Sequence, residues 1–219
     1  MALPLKRTLG SLRAELQTRL GFGMSGQAGI VNSPIMDSFL RSAQEQLYWQ
    51  FEWRELCTAE ERLMGAGQAL YDYPDDCNIE RLTSVSVWSG GSWRELTEGI
   101  TLEERSLDVG VWPMKYERLA QMEVWPVPTS QMRMRREYVK ALAPFDSSND
   151  RTSIPSEIVF LMALVNAKAH YKQADADRYA TQLDGLLAKL KARHRGQTVW
   201  EKPGHTLDKD TFYRYPYTR

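Results

Sequence analysis

The chain has 219 residues, of which 42% are hydrophobic and 26% charged, a composition typical of a soluble globular protein. Its 28 basic and 28 acidic residues give a formal net charge of zero, so no overall field attracts nucleic acid or an anionic membrane. The longest apolar runs, such as residues 158–165, are far shorter than the ~20 residues that span a bilayer, and the N-terminal segment lacks the apolar block of a signal peptide.

Two amphipathic helices are predicted at the start of the chain. The first has leucines at steps of three and four, which form one apolar stripe: Leu5, Leu9, Leu12, Leu16 and Leu20. It is expected to end in the glycine-rich stretch GFGMSGQAG. Ser33 and Pro34 suit the cap and first position of a second helix. The predicted apolar face of that helix contains Ile35, Phe39, Ala43, Leu47 and Phe51.

Aromatic residues gather at the end of the second helix, namely Tyr48, Trp49, Phe51 and Trp53. They fit either a platform on which a ligand stacks or a junction that packs on the next layer of the fold. Because aromatics at helical spacing usually belong to a core, the junction is favoured.

From about Glu60 the hydrophobic period changes to two, which predicts one small antiparallel sheet extending to about Lys140. Ser89-Gly90-Gly91-Ser92 is a hairpin signal, because glycine supplies the positive φ of tight turns. TLEERSLD predicts a short helix capped by Thr101. Pro126 and Pro128 close one strand and predict that it lies at an edge.

The last predicted strand, MRMRREYV, places Met132 and Met134 on one face and arginines on the other. Its basic side chains are candidates for a DNA channel wall or a subunit contact: Arg133, Arg135, Arg136 and Lys140. Because Glu137 interrupts the set and the net charge is zero, a solvated face or a salt-bridged subunit contact is favoured over sequence-specific reading of nucleic acid.

A second helix pair follows, joined by a short link around residues 173–175. One predicted stripe contains Ile158, Leu161, Met162, Val165 and Ala169, and the other contains Tyr179, Leu183, Leu186, Leu187 and Leu190. After Gly196 neither a helical nor a strand period remains, which predicts an extended tail.

These patterns predict an α+β protein with a four-helix bundle core, an inserted small antiparallel β-sheet and an extended C-terminal tail. The expected divisions are 1–58 for the N-terminal helices, 59–142 for the β insertion, 143–195 for the C-terminal helix pair and 196–219 for the tail.

No catalytic or cofactor signature occurs, so neither enzymatic activity nor a cofactor is predicted. Asp72, Asp75 and Asp76 fit a turn better than a calcium loop, because Tyr73-Pro74 interrupts the regular spacing of oxygen ligands. Glu52 and Glu55 beside two tryptophans keep a glycosidase as an alternative. Cys57 and Cys77 are far from any zinc motif and are expected to be free thiols in a reducing compartment.

The order of several stretches resembles the head-to-tail adaptor (head completion) proteins of short-tailed bacteriophages. These stretches are SPIMDSFLRSAQEQLYWQFEWREL, GQALYDYPDDCNIERLTSVSVW, GGSWRELTEGI, MEVWPVP and IPSEIVFLMALVNAKAHYKQADADRYATQLDGLLAKLKA. The resemblance implies a ring, usually of twelve copies, that binds the portal protein above and the tail tube or nozzle below. It also implies a channel that passes DNA without sequence specificity, in a virion protein assembled in the host cytoplasm and not in a membrane.

In such adaptors the C-terminal segment reaches into the portal. Here that segment carries aromatic and arginine side chains, the types that contribute most binding energy at interfaces. The expected portal-binding residues are Trp200, Phe212, Tyr213, Arg214, Tyr215, Tyr217 and Arg219. A tail packed on its own domain or on a neighbouring subunit, a virion glycosidase and a DNA-binding module are the alternatives.

Overall fold

The computed structural model describes residues 6–22, 27–107 and 112–194. Within these ranges there are five helices and eight strands. The helices are α1 (Leu9–Leu20), α2 (Gln27–Gln50), α3 (Leu102–Arg105), α4 (Ser156–His170) and α5 (Ala176–His194). The strands are β1 (Cys57–Met64), β2 (Leu70–Tyr71), β3 (Cys77–Ser89), β4 (Ser92–Glu95), β5 (Thr97–Glu98), β6 (Lys115–Arg118), β7 (Met122–Trp125) and β8 (Met132–Lys140).

One hydrophobic core lies among the long helices. The leucine stripe of α1 is buried as predicted at Leu9, Leu12, Leu16 and Leu20. Thr8 caps the helix by accepting a hydrogen bond from the Ser11 amide, and the helix ends at Gly21 in the left-handed conformation that glycine adopts without strain. The core continues across α2 and α4, and Leu183 of α5 closes it on the outside.

The predicted four-helix bundle core is wrong. α1, α2 and α4 pack against one another, whereas the contacts of α5 are concentrated on α4. α4 is buried on most of its sides and not along one stripe, because it lies between α5 and the α1–α2 layer. The described part of the molecule is instead a mixed α+β fold, in which the helical layer is joined to two sheets of four strands each.

α2 begins earlier than the sequence predicts. Its first residue is Gln27, so Pro34 lies inside the helix and not at its first turn. Pro34 is exposed, which places the missing backbone hydrogen bond on the side of α2 that faces water. The buried face is also shifted by one residue at its start, since Met36 and Leu40 are fully buried while Ile35 is 41% exposed.

The β-rich part contains two sheets packed face to face. One sheet is antiparallel, in the order β1-β8-β3-β4, and the other is mixed, in the order β2-β7-β6-β5 with β5 and β6 parallel. Their inner faces form a second core, to which Val85 and Met134 contribute from the first sheet and Tyr116 and Val124 from the second. This arrangement is a small sandwich in which each sheet keeps an outer face.

The single sheet predicted from the sequence is therefore two, because the chain crosses between the sheets several times, once within the stretch WRELTEGI. Leu96 is buried between β4 and β5, and its amide donates to the carbonyl of Val85 in the first sheet. The next amide, of Thr97, donates to the carbonyl of Met114 beside the second sheet. The expected edge strand before Pro126 is also wrong, since β7 lies between β2 and β6. The bond between Trp125 and Pro126 is cis.

Candidate interaction surfaces

The aromatic cluster at the end of α2 forms the junction between the helical layer and the sandwich, as predicted. Trp53 is fully buried, and its indole N–H donates to the carbonyl of Leu47. Arg81 of β3 donates to the carbonyls of Tyr48 and Phe51, and its guanidinium lies 4.7 Å from the centre of the Tyr48 ring. A cation at these carbonyls compensates the negative end of the helix dipole.

The hydroxyl of Tyr48 makes two further hydrogen bonds at this junction, one with β8 and one with β3. The Tyr48 hydroxyl donates to the carbonyl of Lys140 over 3.1 Å and accepts a hydrogen bond from the side chain of Asn78 over 2.8 Å. The end of α2 is thus tied to β3 and to β8, which restricts how the sandwich can move against the helices. Trp49, which is 57% exposed, is the member of the cluster that remains accessible.

The four basic residues predicted on the last strand do not share one face. Arg136 is fully buried on the inner face of β8, in line with Met134 and Tyr138. Its guanidinium donates to the carboxylate of Glu60, 3.1 Å from Nε, and to the carbonyl of Asp72, 2.6 Å from Nη1. A buried arginine needs such partners because its desolvation is costly. Arg136 therefore ties β1, β8 and the end of β2 together and is not accessible to a partner.

Lys140 lies at the end of β8 and joins an ion pair there. Its Nζ is 2.9 Å from Oδ2 of Asp76, whose other carboxylate oxygen accepts a hydrogen bond from the Tyr138 hydroxyl over 2.8 Å. The hydrogen bond from Lys140, followed by that from Tyr138, lowers the pKa of the Asp76 carboxyl below its ordinary value. Burial, followed by the bond to Asp76, raises the pKa of Tyr138.

Arg133 and Arg135 do occupy the outer face of the first sheet. Arg135 is 3.3 Å from the Glu137 carboxylate on the same strand. Arg133 lies over two tryptophans, with its guanidinium carbon 4.9 Å from the centre of the Trp88 ring and 5.8 Å from that of Trp93. The two indoles pair across β3 and β4 in an edge-to-face arrangement, with their centres 5.3 Å apart.

Leu63 of β1 is paired with Arg133 and is 59% exposed. Leu63, Arg133, Trp88 and Trp93 thus form one row across all four strands, here named the tryptophan–arginine row. In the ranges that the structure describes, Arg133 makes no hydrogen bond or ion pair with another side chain. This cation–π contact positions the exposed Arg133 side chain, and its N–H donors remain available to a partner.

On the outer face of the second sheet lies α3, which has its charged side toward the protein. Thr101 caps it, as the sequence predicts, and the structure adds a reciprocal capping box with Glu104. Glu104 pairs with Lys115 at 2.7 Å, and Arg105 pairs with Glu123 at 2.7 Å. Lys115 and Glu123 belong to the outer face, because their strand neighbours point into the core.

The opposite side of α3 exposes apolar side chains. Leu102 is 81% exposed and Leu107, two residues beyond the helix, is 53% exposed. Glu103 is exposed between them. No residue of α3 is buried. This side, made of Leu102, Glu103 and Leu107, is here named the α3 ridge.

The alternative chemical sites find little support in the geometry. Glu52 borders a cavity of about 330 Å³ that neither Glu55 nor the tryptophans line, so the glycosidase arrangement is not assembled there. Among the described residues, no group of three or more His, Cys, Asp or Glu side chains is placed to hold a metal ion.

Cys57 and Cys77 are free thiols, and burial raises the pKa of Cys77 to about 11. Within the described ranges, no helix is both long enough and apolar enough to span a membrane. The expected portal-binding residues of the tail, Trp200, Phe212, Tyr213, Arg214, Tyr215, Tyr217 and Arg219, lie outside the described residues.

The described part thus carries two exposed surface features, the tryptophan–arginine row and the α3 ridge, on a scaffold with two hydrophobic cores. Comparison with protein families agrees with this, since the model of the SU10 adaptor protein family matches residues 7–205. The chain belongs to the SU10 adaptor protein family. The match spans both layers of the fold and confirms the resemblance to phage adaptors that the sequence order suggested. No curated protein matches the chain.

Membership of the SU10 adaptor family makes the protein a structural adaptor of a bacteriophage. Two of its surface features were missed by sequence reasoning. The tryptophan–arginine row joins residues from four separate strands, so only strand order and register reveal it. The α3 ridge had no local signal either, because Glu104 and Arg105, which hold α3 on the sheet, find their ion-pair partners elsewhere in the sequence.

Proposed function

We propose that this SU10 adaptor joins the portal to the tail of the phage and acts by binding, without catalysis. The observation that carries the proposal is the family match over residues 7–205. The two-layer architecture supports it, since helices and sheets have separate cores and meet at a junction bonded on two sides. An adaptor needs such chemically distinct surfaces because it holds different partners at the same time.

In this proposal the protein forms a ring, with about twelve copies by analogy with the head-to-tail adaptors that it resembles. The tail, residues 196–219, anchors in the portal above. The helical layer, which lies within residues 1–58 and 143–195, contacts neighbouring copies. The β insertion, residues 59–142, faces the tail nozzle or tube.

DNA leaves the head through the centre of this ring without being read. Binding in that case depends on shape and on scattered charge, because contacts to phosphates carry no sequence information. Arg135, Lys140 and Arg133 remain candidates for channel or subunit contacts, whereas Arg136 is excluded by its burial. The neck of the virion is the proposed location, reached after assembly in the host cytoplasm.

The C-terminal tail provides the first test. Full-length protein and a version that ends at Arg195 are mixed with the portal protein encoded beside this chain, and co-sedimentation is measured. The full-length protein is expected to sediment with the portal and the shortened one to lose most of this binding, because aromatic and arginine side chains dominate interface energetics.

A variant with Phe212, Tyr213, Tyr215 and Tyr217 all changed to serine is the matched control for chain length. It should lose binding like the truncation. If the truncated protein binds as well as the full-length one, the tail is not the anchor. If neither binds, the adaptor proposal itself is contradicted.

A further inference from the structure

The two outer faces of the sandwich carry complementary features. The first sheet presents the tryptophan–arginine row, with an arginine that has no carboxylate partner among the described residues. The second sheet presents the α3 ridge, with two exposed leucines and an exposed glutamate. Exposed apolar side chains grouped with charged ones are a common feature of interaction surfaces.

The inner faces of the sheets share one core, so the two outer faces point in opposite directions. A copy that binds its neighbours through opposite faces uses two different surface patches. Such heterologous contacts close into a ring when the rotation between copies permits. We propose that the tryptophan–arginine row of one copy binds the α3 ridge of the next. This interface rests on the ring of the proposed function and supplies its lateral contact within the β layer.

Opposite charges favour the α3 ridge of a second copy as the partner of the tryptophan–arginine row. The Arg133 guanidinium lies over the Trp88 ring with Trp93 beside it, and its N–H donors can bind a carboxylate with two parallel hydrogen bonds. Glu103 supplies that carboxylate, and no hydrogen bond or ion pair engages its side chain within the described part of the chain. Leu102 and Leu107 on either side meet the indole faces and Leu63, so the charged pair is surrounded by apolar contacts that exclude water.

The ion pairs beneath α3 explain why its apolar side faces outward. Glu104 and Arg105 are held by Lys115 and Glu123, so the helix cannot turn Leu102 onto the sheet without breaking both pairs. DNA is a poorer occupant of the opposite surface, since Arg133 and Arg135 share that face with Glu61 and Glu137. A face with equal numbers of these charges does not attract a polyanion.

A charge exchange tests the contact. Arg133→Glu and Glu103→Arg are each introduced into the full-length protein, and the number of copies that load onto the portal protein is measured by native mass spectrometry. Each single change places like charges opposite each other and should weaken ring completion by roughly tenfold or more. The double variant R133E/E103R restores opposite charges at every interface and should load like the wild type.

Mixing the two single variants provides a second readout. Copies of the R133E variant and copies of the E103R variant complement each other when they alternate, so an equal mixture should complete rings that neither variant completes alone. Arg94→Glu is the matched control, because Arg94 lies on the same hairpin but lines the groove beside Trp112 on the other side of β4. Both changed side chains are exposed, and circular dichroism with thermal unfolding checks that each variant is folded.

The outcomes separate the two proposals. If the wild-type protein does not load onto the portal, the adaptor proposal fails and this interface fails with it. If the wild type loads and the single reversals also load fully, or if neither the double variant nor the mixture recovers, the interface alone is wrong. The interface is also wrong if Arg94→Glu is as damaging as Arg133→Glu.

Discussion

Arg136 shows how a single residue can follow the sequence pattern and still mislead. Strict alternation from Met132 places positions 134, 136 and 138 on one face, and all three are buried. The sequence therefore contained the signal that Arg136 points inward. The charge of Arg136 suggested a solvent-exposed position. Glu60 and the carbonyl of Asp72 provide the hydrogen-bond partners that make its burial possible.

The Asp76 carboxylate predicts how the stability of the protein depends on pH. Its pKa is lowered in the folded protein, so the carboxylate contributes stability above its ordinary pKa, and this contribution is lost as pH falls through the folded pKa. Asp76→Asn should therefore lower the melting temperature near pH 6, and the difference from wild type should shrink below about pH 4. Thermal unfolding at a series of pH values measures this. A difference that stays constant down to about pH 2 would show that the ion pair with Lys140 does not act in this way.

Among the secondary-structure elements, the hydrophobic period predicted the positions of the long helices well. It predicted the arrangement of the strands only in part. The leucine stripe of α1 and the Thr101 cap of α3 are local features, and both were predicted. The split into two sheets was not, because strands that follow one another in sequence, such as β1 and β2 or β4 and β5, belong to different sheets. A period of two looks the same whichever sheet a strand joins. The start of α2 was missed because Pro34 signals a helix start more often than an interior position.

Two helical glycines give opposite predictions. In the middle of α5, Gly185 has open space where a Cβ would stand, so Gly185→Ala should raise the free energy of unfolding by about 0.5–1 kcal/mol. At Gly10 in α1 a Cβ would lie 3.1 Å from the Ser148 carbonyl oxygen, which already accepts the Gly10 amide hydrogen bond. Gly10→Ala should therefore destabilise the protein, because the close contact outweighs the gain in helix propensity.

Urea unfolding of both alanine variants checks this pair of predictions. The two changes remove the same backbone freedom, so each serves as the control for the other. A stabilised Gly10→Ala variant would mean that the loop around Ser148 yields easily and that α1 is not held closely against it.

At the scale of the whole molecule, the two-layer form suits a protein that connects unlike neighbours. The helical core and the sandwich core are separate, and Tyr48, Trp53 and Arg81 lie where the layers meet. The overall α+β class and the family were predictable from the order of segments along the chain. The tryptophan–arginine row was not, since it draws on β1, β8, β3 and β4 at once.

The central claim is that this protein connects filled heads to tails. The most direct measurement uses phage particles assembled without it, to which purified full-length protein and separately purified tails are added. The fraction of tailed particles is counted by electron microscopy. Heads are expected to gain tails only when the protein is present, and the R133E single variant is expected to support fewer joined particles than wild type. Heads that join tails equally well without the protein would contradict this role.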